Sequence, residues 1–212
     1  MAIPCRSLIV TGLVATSVAA PRQHTVELGR WYTVQITADS GAVQQGKMRR
    51  LIIDGRMREY TTGSPHQVTD RLFVIRRLQR VNDSLPQQDG QKPRWIWRLE
   101  GWISVDRQTG HIALLNLPAF DPEASQANWY RDYAAYCGSS DNSDKMYMVV
   151  FQLGKRKPVL RKEVAGSACP APTWERNPSR VTFNVAGEKT RFLVNTRGAD
   201  LQPESNGEEG PQ

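Results

Sequence analysis

Apolar and polar side chains alternate with a period of two in several segments of this chain, and this alternation limits the folds open to it. Residues 32–37 and 181–185 each place an apolar side chain at every second position. This pattern is typical of a strand that buries one face and exposes the other. Residues 146–153 are almost all apolar instead, which predicts a central strand covered on both faces.

Turn signals separate the predicted strands at short spacing. Asp54-Gly55 lies between two strand-like runs, and both residue types tolerate the positive φ angles that a tight hairpin requires. Further hairpins are predicted around residues 106–110 and 186–188. The sequence therefore predicts an all-β fold, an antiparallel sandwich or barrel of about nine or ten strands.

One segment favours a helix. Asp121-Pro122-Glu123 combines an N-cap residue, a proline at the first helical position and an acid in the first turn. Aromatic and small residues then recur at helical spacing as far as Cys137. We expect at most one short helix, at this place. A helical turn followed by a strand over residues 130–137 is the alternative.

The hairpin at residues 106–110 resembles the turns between strands in many β-propeller blades. A small β-propeller-like arrangement is therefore the alternative architecture. Four blades of about 40 residues each would fit the length of the chain, but the sequence shows no repeat of that period.

Residues 1–19 have the pattern of a secretory signal peptide. Arg6 precedes an apolar run that is too short to span a bilayer as a helix, and small residues before Ala20 fit the cleavage site. A buried or frayed terminal segment is the alternative. We expect residues 20–202 to form a single β domain and the acidic residues 203–212 to be a disordered tail. No membrane span is expected after signal removal.

The cysteines agree with export. Loss of the signal peptide removes Cys5 and leaves Cys137 and Cys169, which we expect to form a disulfide in an oxidising compartment. Two buried free thiols are the alternative. The expected location is secreted or periplasmic.

The chain is basic, with 28 Lys and Arg residues against 21 Asp and Glu residues and a formal net charge of +7. Arginine outnumbers lysine by 21 to 7. The guanidinium fork pairs bidentately with phosphate, sulfate or carboxylate, so one interpretation is polyanion binding. Codon bias in a GC-rich genome is the other.

A cluster of arginines and tryptophans suggests where a polyanion or glycan would bind. If the strands in residues 48–60, 71–81 and 94–99 are neighbours, one sheet face carries many guanidinium groups, with aromatic rings as stacking platforms. An ordinary solvated sheet face is the alternative. The candidate residues are Arg49, Arg56, Arg58, Arg76, Arg80, Arg94, Arg98, Trp95 and Trp97.

No catalytic motif is present in the sequence. It contains no His-Glu-x-x-His, Gly-x-Ser-x-Gly, Cys-x-x-Cys or phosphate-binding glycine loop, so we assign no catalytic, metal-binding or cofactor-binding residue and expect no cofactor. His66 lies in a turn-rich loop between two predicted strands, and such loops often carry function. It is the one histidine that we single out for testing.

These observations favour an exported, non-catalytic binding or structural module of the cell envelope or exterior. Its partner is expected to be a glycan, a polyanion or an envelope protein. A secreted hydrolase with a carboxylate site assembled across strands is the second interpretation. An intracellular nucleic-acid-binding protein is the third, and it requires that residues 1–19 are not a signal peptide.

Overall fold

The structure is a computed structural model that describes residues 23–84, 93–140, 143–166, 169–194 and 201–203. All regular secondary structure in these ranges is β, which confirms the predicted fold class. The predicted signal peptide and residues 204–212 of the predicted tail lie outside the described residues, as do residues 85–92.

Fifteen strands are present in the described residues. They are β1 (Val26–Leu28), β2 (Tyr32–Thr37), β3 (Val43–Ile53), β4 (Arg56–Gln67), β5 (Leu72–Asn82), β6 (Trp95–Asp106), β7 (Ile112–Leu115), β8 (Asn128–Tyr130), β9 (Tyr133–Ser140), β10 (Ser143–Gln152), β11 (Leu160–Val164), β12 (Thr173–Arg176), β13 (Ser179–Val185), β14 (Glu188–Val194) and β15 (Leu201–Pro203). The predicted number of nine or ten was too low, because strands of three or four residues are too short to show a period and because β9 falls in the segment that favoured a helix.

Strands β2 to β6 form a closed five-stranded barrel. Each strand is antiparallel to the next along the chain, and β6 returns to β2 through one parallel residue pair, Ile36 with Trp97. β1 extends the sheet beside β3, and β7 extends it beside β6. Buried side chains fill the barrel, with Leu51, Ile53, Phe73, Ile75, Ile103 and Val105 towards one end and Ile36, Met48 and Leu78 towards the other.

The sheet of β8 to β11 is a middle layer. Successive side chains of β10 point to opposite sides, so that Val149 and Phe151 pack with Trp102 of the barrel. Met148 packs on the other side, with Phe183 of the β12–β15 sheet. The predicted central strand with two covered faces is thereby confirmed.

The predicted hairpins are also confirmed. Asp54 and Gly55 form the two-residue turn between β3 and β4, with φ angles of 51° and 73°. Ala186 and Gly187 form the corresponding turn between β13 and β14. In the turn between β6 and β7, the Asp106 carboxylate accepts hydrogen bonds from two backbone amides of the turn.

The predicted helix is absent from residues 121–137. Asp121 does cap a turn, since its carboxylate accepts hydrogen bonds from the amides of Glu123 and Ala124. The chain then forms β8 and β9, which are joined by a tight turn in which Arg131 has a φ angle of 53°. The alternative of a turn followed by a strand describes this segment better. Aromatic side chains suit strands as well as helices, and packing between two sheets decides for the strands.

The connector between β7 and β8, residues 117–125, lies tightly across the middle sheet. The Tyr136 hydroxyl donates a hydrogen bond to the carbonyl of Pro118 at 2.8 Å, and burial raises the pKa of this phenol, which keeps it a neutral donor. The buried Ser125 hydroxyl donates to the Cys137 carbonyl at 2.7 Å. Gly138 permits the close approach, because a Cβ atom there would lie 2.1 Å from the carbonyl oxygen of Ala119.

No helix of the length and hydrophobicity needed to cross a membrane occurs in the part of the chain that the structure describes.

Candidate functional site

The hairpin of β2 and β3 stands between two clefts at one end of the barrel. β3 pairs with β4 only over Arg49–Ile53, and β2 pairs with β6 at one residue. The outer half of the hairpin therefore has no regular ladder on either side among the described residues. One cleft opens between β2 and β6, and the other opens between β3 and the second half of β4.

The first of these, the seam cleft, has a volume of about 330 Å³. Its lining consists of Val34, Gln35, Thr37 and Val43 from the hairpin and Arg94, Trp95, Ile96 and Trp97 from β6. Gln35 and Arg94 are exposed, and Val43 at the rim is 56% exposed. The seam cleft thus combines apolar side chains with an amide and a cation, as small-ligand sites commonly do.

Trp95 dominates the seam cleft because 52% of its surface remains exposed. The Arg80 guanidinium lies 5.0 Å from the centre of its ring, which is a cation–π contact across β5 and β6. Trp97, two residues along the same strand face, packs edge-on against Tyr60 at 4.7 Å and belongs to the barrel interior. Trp95 therefore offers a ring to a ligand, whereas Trp97 supports the barrel.

Arg98 points away from Trp95 and Trp97, because successive side chains of a strand alternate. It forms an ion pair with Asp39 in the β2–β3 turn and lies 3.9 Å from Asp83. The Asp39 amide also donates a hydrogen bond to the Glu123 carboxylate at 2.5 Å. Arg98 and Glu123 thus fix the tip of the β2–β3 hairpin at Asp39. The Arg98 guanidinium is already paired with a carboxylate in this structural role.

The second cleft, the Arg76 cleft, has a volume of about 350 Å³. Ile36, Leu99 and Trp102 form its apolar floor. Polar side chains and glycines form its walls: Gln44, Gln45, Gly46, Thr62, Gly63 and Ser64. Arg76 lies half-buried among them, and burial lowers its pKa. This cleft therefore holds a partly desolvated cation beside hydrogen-bonding groups.

The remaining arginines of the predicted face line neither cleft, although Arg49 contacts the wall of the Arg76 cleft at Gly63. The Arg49 guanidinium stacks on Trp31 at 4.2 Å and donates a hydrogen bond to the Gly63 carbonyl, and burial lowers its pKa. Arg56 and Arg58 are exposed near the β3–β4 turn.

The structure thus divides the predicted face. The three strand regions are neighbours, as the prediction assumed. Arg80, Arg94 and Trp95 come together at the seam cleft, whereas Arg76 lines the second cleft. Strand alternation, the barrel curvature and the irregular register near Arg76 separate the other residues.

His66 joins two layers of the fold. Its Nε2 atom lies 2.8 Å from the carbonyl oxygen of Arg131 in the β8–β9 turn, and its ring stacks near Trp129 at 6.0 Å. The predicted loop was wrong, because His66 lies within strand β4 and pairs with Val74. It is half-buried and follows an irregular part of the strand that begins after Thr62. These contacts give His66 a structural role in holding the middle sheet on the barrel.

The predicted disulfide is confirmed. Cys137 and Cys169 are bonded, and their Cα atoms are 6.0 Å apart. Cys137 lies within the buried stretch of β9, while Cys169 precedes β12. The bond therefore ties the middle sheet to the chain that leads into the outer sheet.

Six carboxylates in the described residues form ion pairs with Lys or Arg side chains. The pairs are Glu59 with Arg77, Asp106 with Arg71, Glu163 with Lys145, Glu175 with Arg180, and Asp39 and Asp83 with Arg98. The Arg71 guanidinium, together with two turn amides, holds the pKa of the Asp106 carboxyl well below its usual range. Within the described ranges, no group of three or more His, Cys, Asp and Glu side chains is placed to hold a metal ion.

The fold and the clefts define a class of protein: an all-β molecule in which a closed barrel, a middle sheet and an outer sheet pack in succession, with an aromatic and cationic cleft at the barrel seam. No protein-family model matches the chain, and comparisons with curated proteins and with solved structures find no match either.

Sequence reasoning missed the contribution of the β2–β3 hairpin to both clefts. Gln35 and Val43 reach the seam cleft only because the hairpin turns back at residues 38–42 and β2 meets β6 at a single pair. Gln44 and Ser64 meet in the Arg76 cleft through the divergence of β3 from β4. Such meetings depend on strand register between distant segments, and no local pattern in the sequence signals them.

Proposed function

We propose that this protein is an exported, non-catalytic binding module of the cell envelope or exterior, and that its seam cleft binds an acidic glycan. The observation that carries the proposal is the exposed Trp95 ring backed by the Arg80 guanidinium at 5.0 Å. An aromatic face stacks on the C–H face of a sugar ring, while a guanidinium pairs with its carboxylate or sulfate.

The surroundings of Trp95 support an elongated anionic ligand. Arg94 adds a second exposed cation at the cleft, and Gln35 adds an amide that both donates and accepts hydrogen bonds. The net charge of +7 attracts anions at longer range. The open edge between β2 and β6 gives such a ligand room to extend past the pocket.

A hydrolase acting through two carboxylates has less support. A general acid needs a raised pKa, and in a glycosidase it faces a second carboxylate. Asp106, Glu59 and Asp39 each face an arginine and not a second carboxylate. The Arg71 guanidinium lowers the pKa of Asp106, which is the opposite of what a general acid needs. Nucleic acid shares the polyanion chemistry and is an outcome of the binding experiment below.

Export is part of the proposal. The signal-like pattern of residues 1–19 supports it, and so does the disulfide between Cys137 and Cys169, since such bonds persist mainly in oxidising compartments.

The variant Trp95→Ala is expected to weaken binding of hyaluronate oligosaccharides about tenfold, or about 1.4 kcal/mol, because it removes the ring on which a sugar unit would stack. Affinity is measured by calorimetry at physiological salt, with dextran as the neutral polymer and single-stranded DNA as the second polyanion. Neutral dextran is expected not to bind.

Trp31→Ala is the matched control. Trp31 is 44% exposed and also stacks with an arginine, but it does not line the seam cleft. We expect its affinity to equal that of the unmodified protein. Equal weakening by both variants, or release of hyaluronate below physiological salt, would contradict a specific site at the seam. Tighter binding of DNA than of hyaluronate would identify nucleic acid, and not a glycan, as the ligand of the seam cleft.

The intact mass of protein recovered from its native host tests export. We expect a mass that lacks residues 1–19, with Cys137 and Cys169 resistant to alkylation until reductant is added. A full-length mass with three thiols that alkylate without reduction would contradict export and would favour an intracellular polyanion-binding role.

A further inference from the structure

Arg76 lies at a place where three strands lose their regular register together. It pairs with Thr62 of β4 on one side and with Trp102 of β6 on the other. Beyond these pairs both ladders are irregular. The β4–β5 ladder is interrupted between Thr62 and His66, and the β5–β6 ladder is interrupted between Arg76 and Leu78. The strands therefore open around Arg76 and leave the Arg76 cleft beside it.

The guanidinium of Arg76 is held by backbone oxygens rather than by a carboxylate. Its Nε atom donates to the Glu100 carbonyl at 3.3 Å, and Nη2 donates to the Pro122 carbonyl. The Phe120 ring lies 5.6 Å away, and Asp121 acts on the charge only through space. These contacts fix the plane of the guanidinium. Among the described residues, no carboxylate forms a hydrogen bond with it to balance its positive charge.

Donor capacity remains on this arginine. A guanidinium carries five N–H groups, and the two contacts above use one on Nε and one on Nη2. Nη1 donates to no protein atom in the described residues. Burial lowers the pKa of Arg76, which reflects the cost of leaving the cation partly desolvated. An anion in the cleft would relieve that cost and form charge-assisted hydrogen bonds.

The rest of the cleft indicates what the anion is attached to. Gln44, Gln45 and Ser64 are exposed at the rim and present amide and hydroxyl groups. The floor of Ile36 and Leu99 is apolar. A volume of about 350 Å³ lies at the lower end of the range for small-ligand pockets. Hydroxyl-rich edges, an apolar ring face and one carboxylate are together the chemistry of a sugar acid.

We infer that the Arg76 cleft is a second binding site, and that it takes a single sugar acid whose carboxylate pairs with Arg76. The site stands on residues other than those of the seam cleft, so it does not depend on the glycan site proposed above.

The experiment measures binding of sodium glucuronate by calorimetry and by ligand-observed NMR. Arg76→Lys keeps the charge but loses the planar fork, and it is expected to weaken binding at least about tenfold. Ser64→Phe places a ring at the rim, where Ser64 is exposed, and it is expected to block the cleft in a folded protein. Near-ultraviolet circular dichroism checks the fold of both variants.

Trp95→Ala separates this site from the seam cleft. It is expected to bind glucuronate as the unmodified protein does, even where it binds hyaluronate more weakly. Undiminished binding to Ser64→Phe would overturn the location of the site. Equal binding of glucose would overturn pairing of the carboxylate with Arg76, and equal binding of acetate or inorganic phosphate would overturn recognition of the sugar.

Discussion

Replacement of both Cys137 and Cys169 by alanine is expected to lower the free energy of unfolding by about 3–4 kcal/mol. The bond joins residues 32 apart in the sequence, and its loss returns the conformational freedom of that loop to the unfolded chain. Alanine is the suitable replacement because Cys137 is buried in the cluster between the middle and outer sheets. A serine there would bury a hydroxyl as well. Urea unfolding of protein beginning at residue 20 measures the loss.

Reduction of the unmodified protein is the control for this variant. Reductant breaks the bond but leaves both sulfur atoms in place, so agreement between the two results assigns the loss to the cross-link rather than to packing. A loss of less than about 1 kcal/mol by both routes would contradict a stabilising role for the disulfide.

Gly138→Ala is expected to destabilise the protein by about 3 kcal/mol, the upper part of the range for an overpacked core. The new Cβ atom would lie 2.1 Å from the Ala119 carbonyl oxygen, and backbone cannot move aside as a flexible side chain can. The connector of residues 117–125 must therefore shift. Since Pro122 in this connector accepts a hydrogen bond from Arg76, we also expect weaker glucuronate binding.

Gly101→Ala provides the matched control for Gly138→Ala. Gly101 also lies within a strand, but the nearest atoms to an added Cβ are 4.0 Å away. This substitution is expected not to destabilise the protein and to change the free energy of unfolding by less than about 1 kcal/mol. Thermal unfolding of the two variants side by side tests the difference. If Gly138→Ala unfolds at the same temperature as Gly101→Ala, the connector does not press on β9 in the way described.

Local patterns in the sequence were enough to predict the fold class. The two-residue period at residues 32–37, the turn at Asp54-Gly55 and the apolar run at 146–153 each correspond to a structural element of the expected kind. The segment 121–137 was mispredicted as a helix because the first turn of a helix and a capped β-turn share the same N-terminal signals. Only contact with two other sheets distinguishes the two outcomes.

The site was less predictable than the fold. Sequence reasoning identified Arg80, Arg94, Trp95 and Arg76, but it placed them with Arg98 on one face. A one-residue step along a strand reverses the side to which a residue points, and an irregular register shifts this alternation again. Arg98 therefore meets Asp39 on the outside, while Arg76 reaches a different opening. Contacts with residues that are distant in the sequence determine these positions.

The seam of the barrel follows from the parity of its strand number. In a meander the direction of the chain reverses at every turn, so the first and fifth strands must run the same way. An even count would bring the first and last strands together antiparallel, in the arrangement that the other four junctions share. The odd count leaves β2 and β6 parallel, and they meet at only one residue pair. The opening beside Trp95 thus lies at the one junction of the barrel that topology makes parallel.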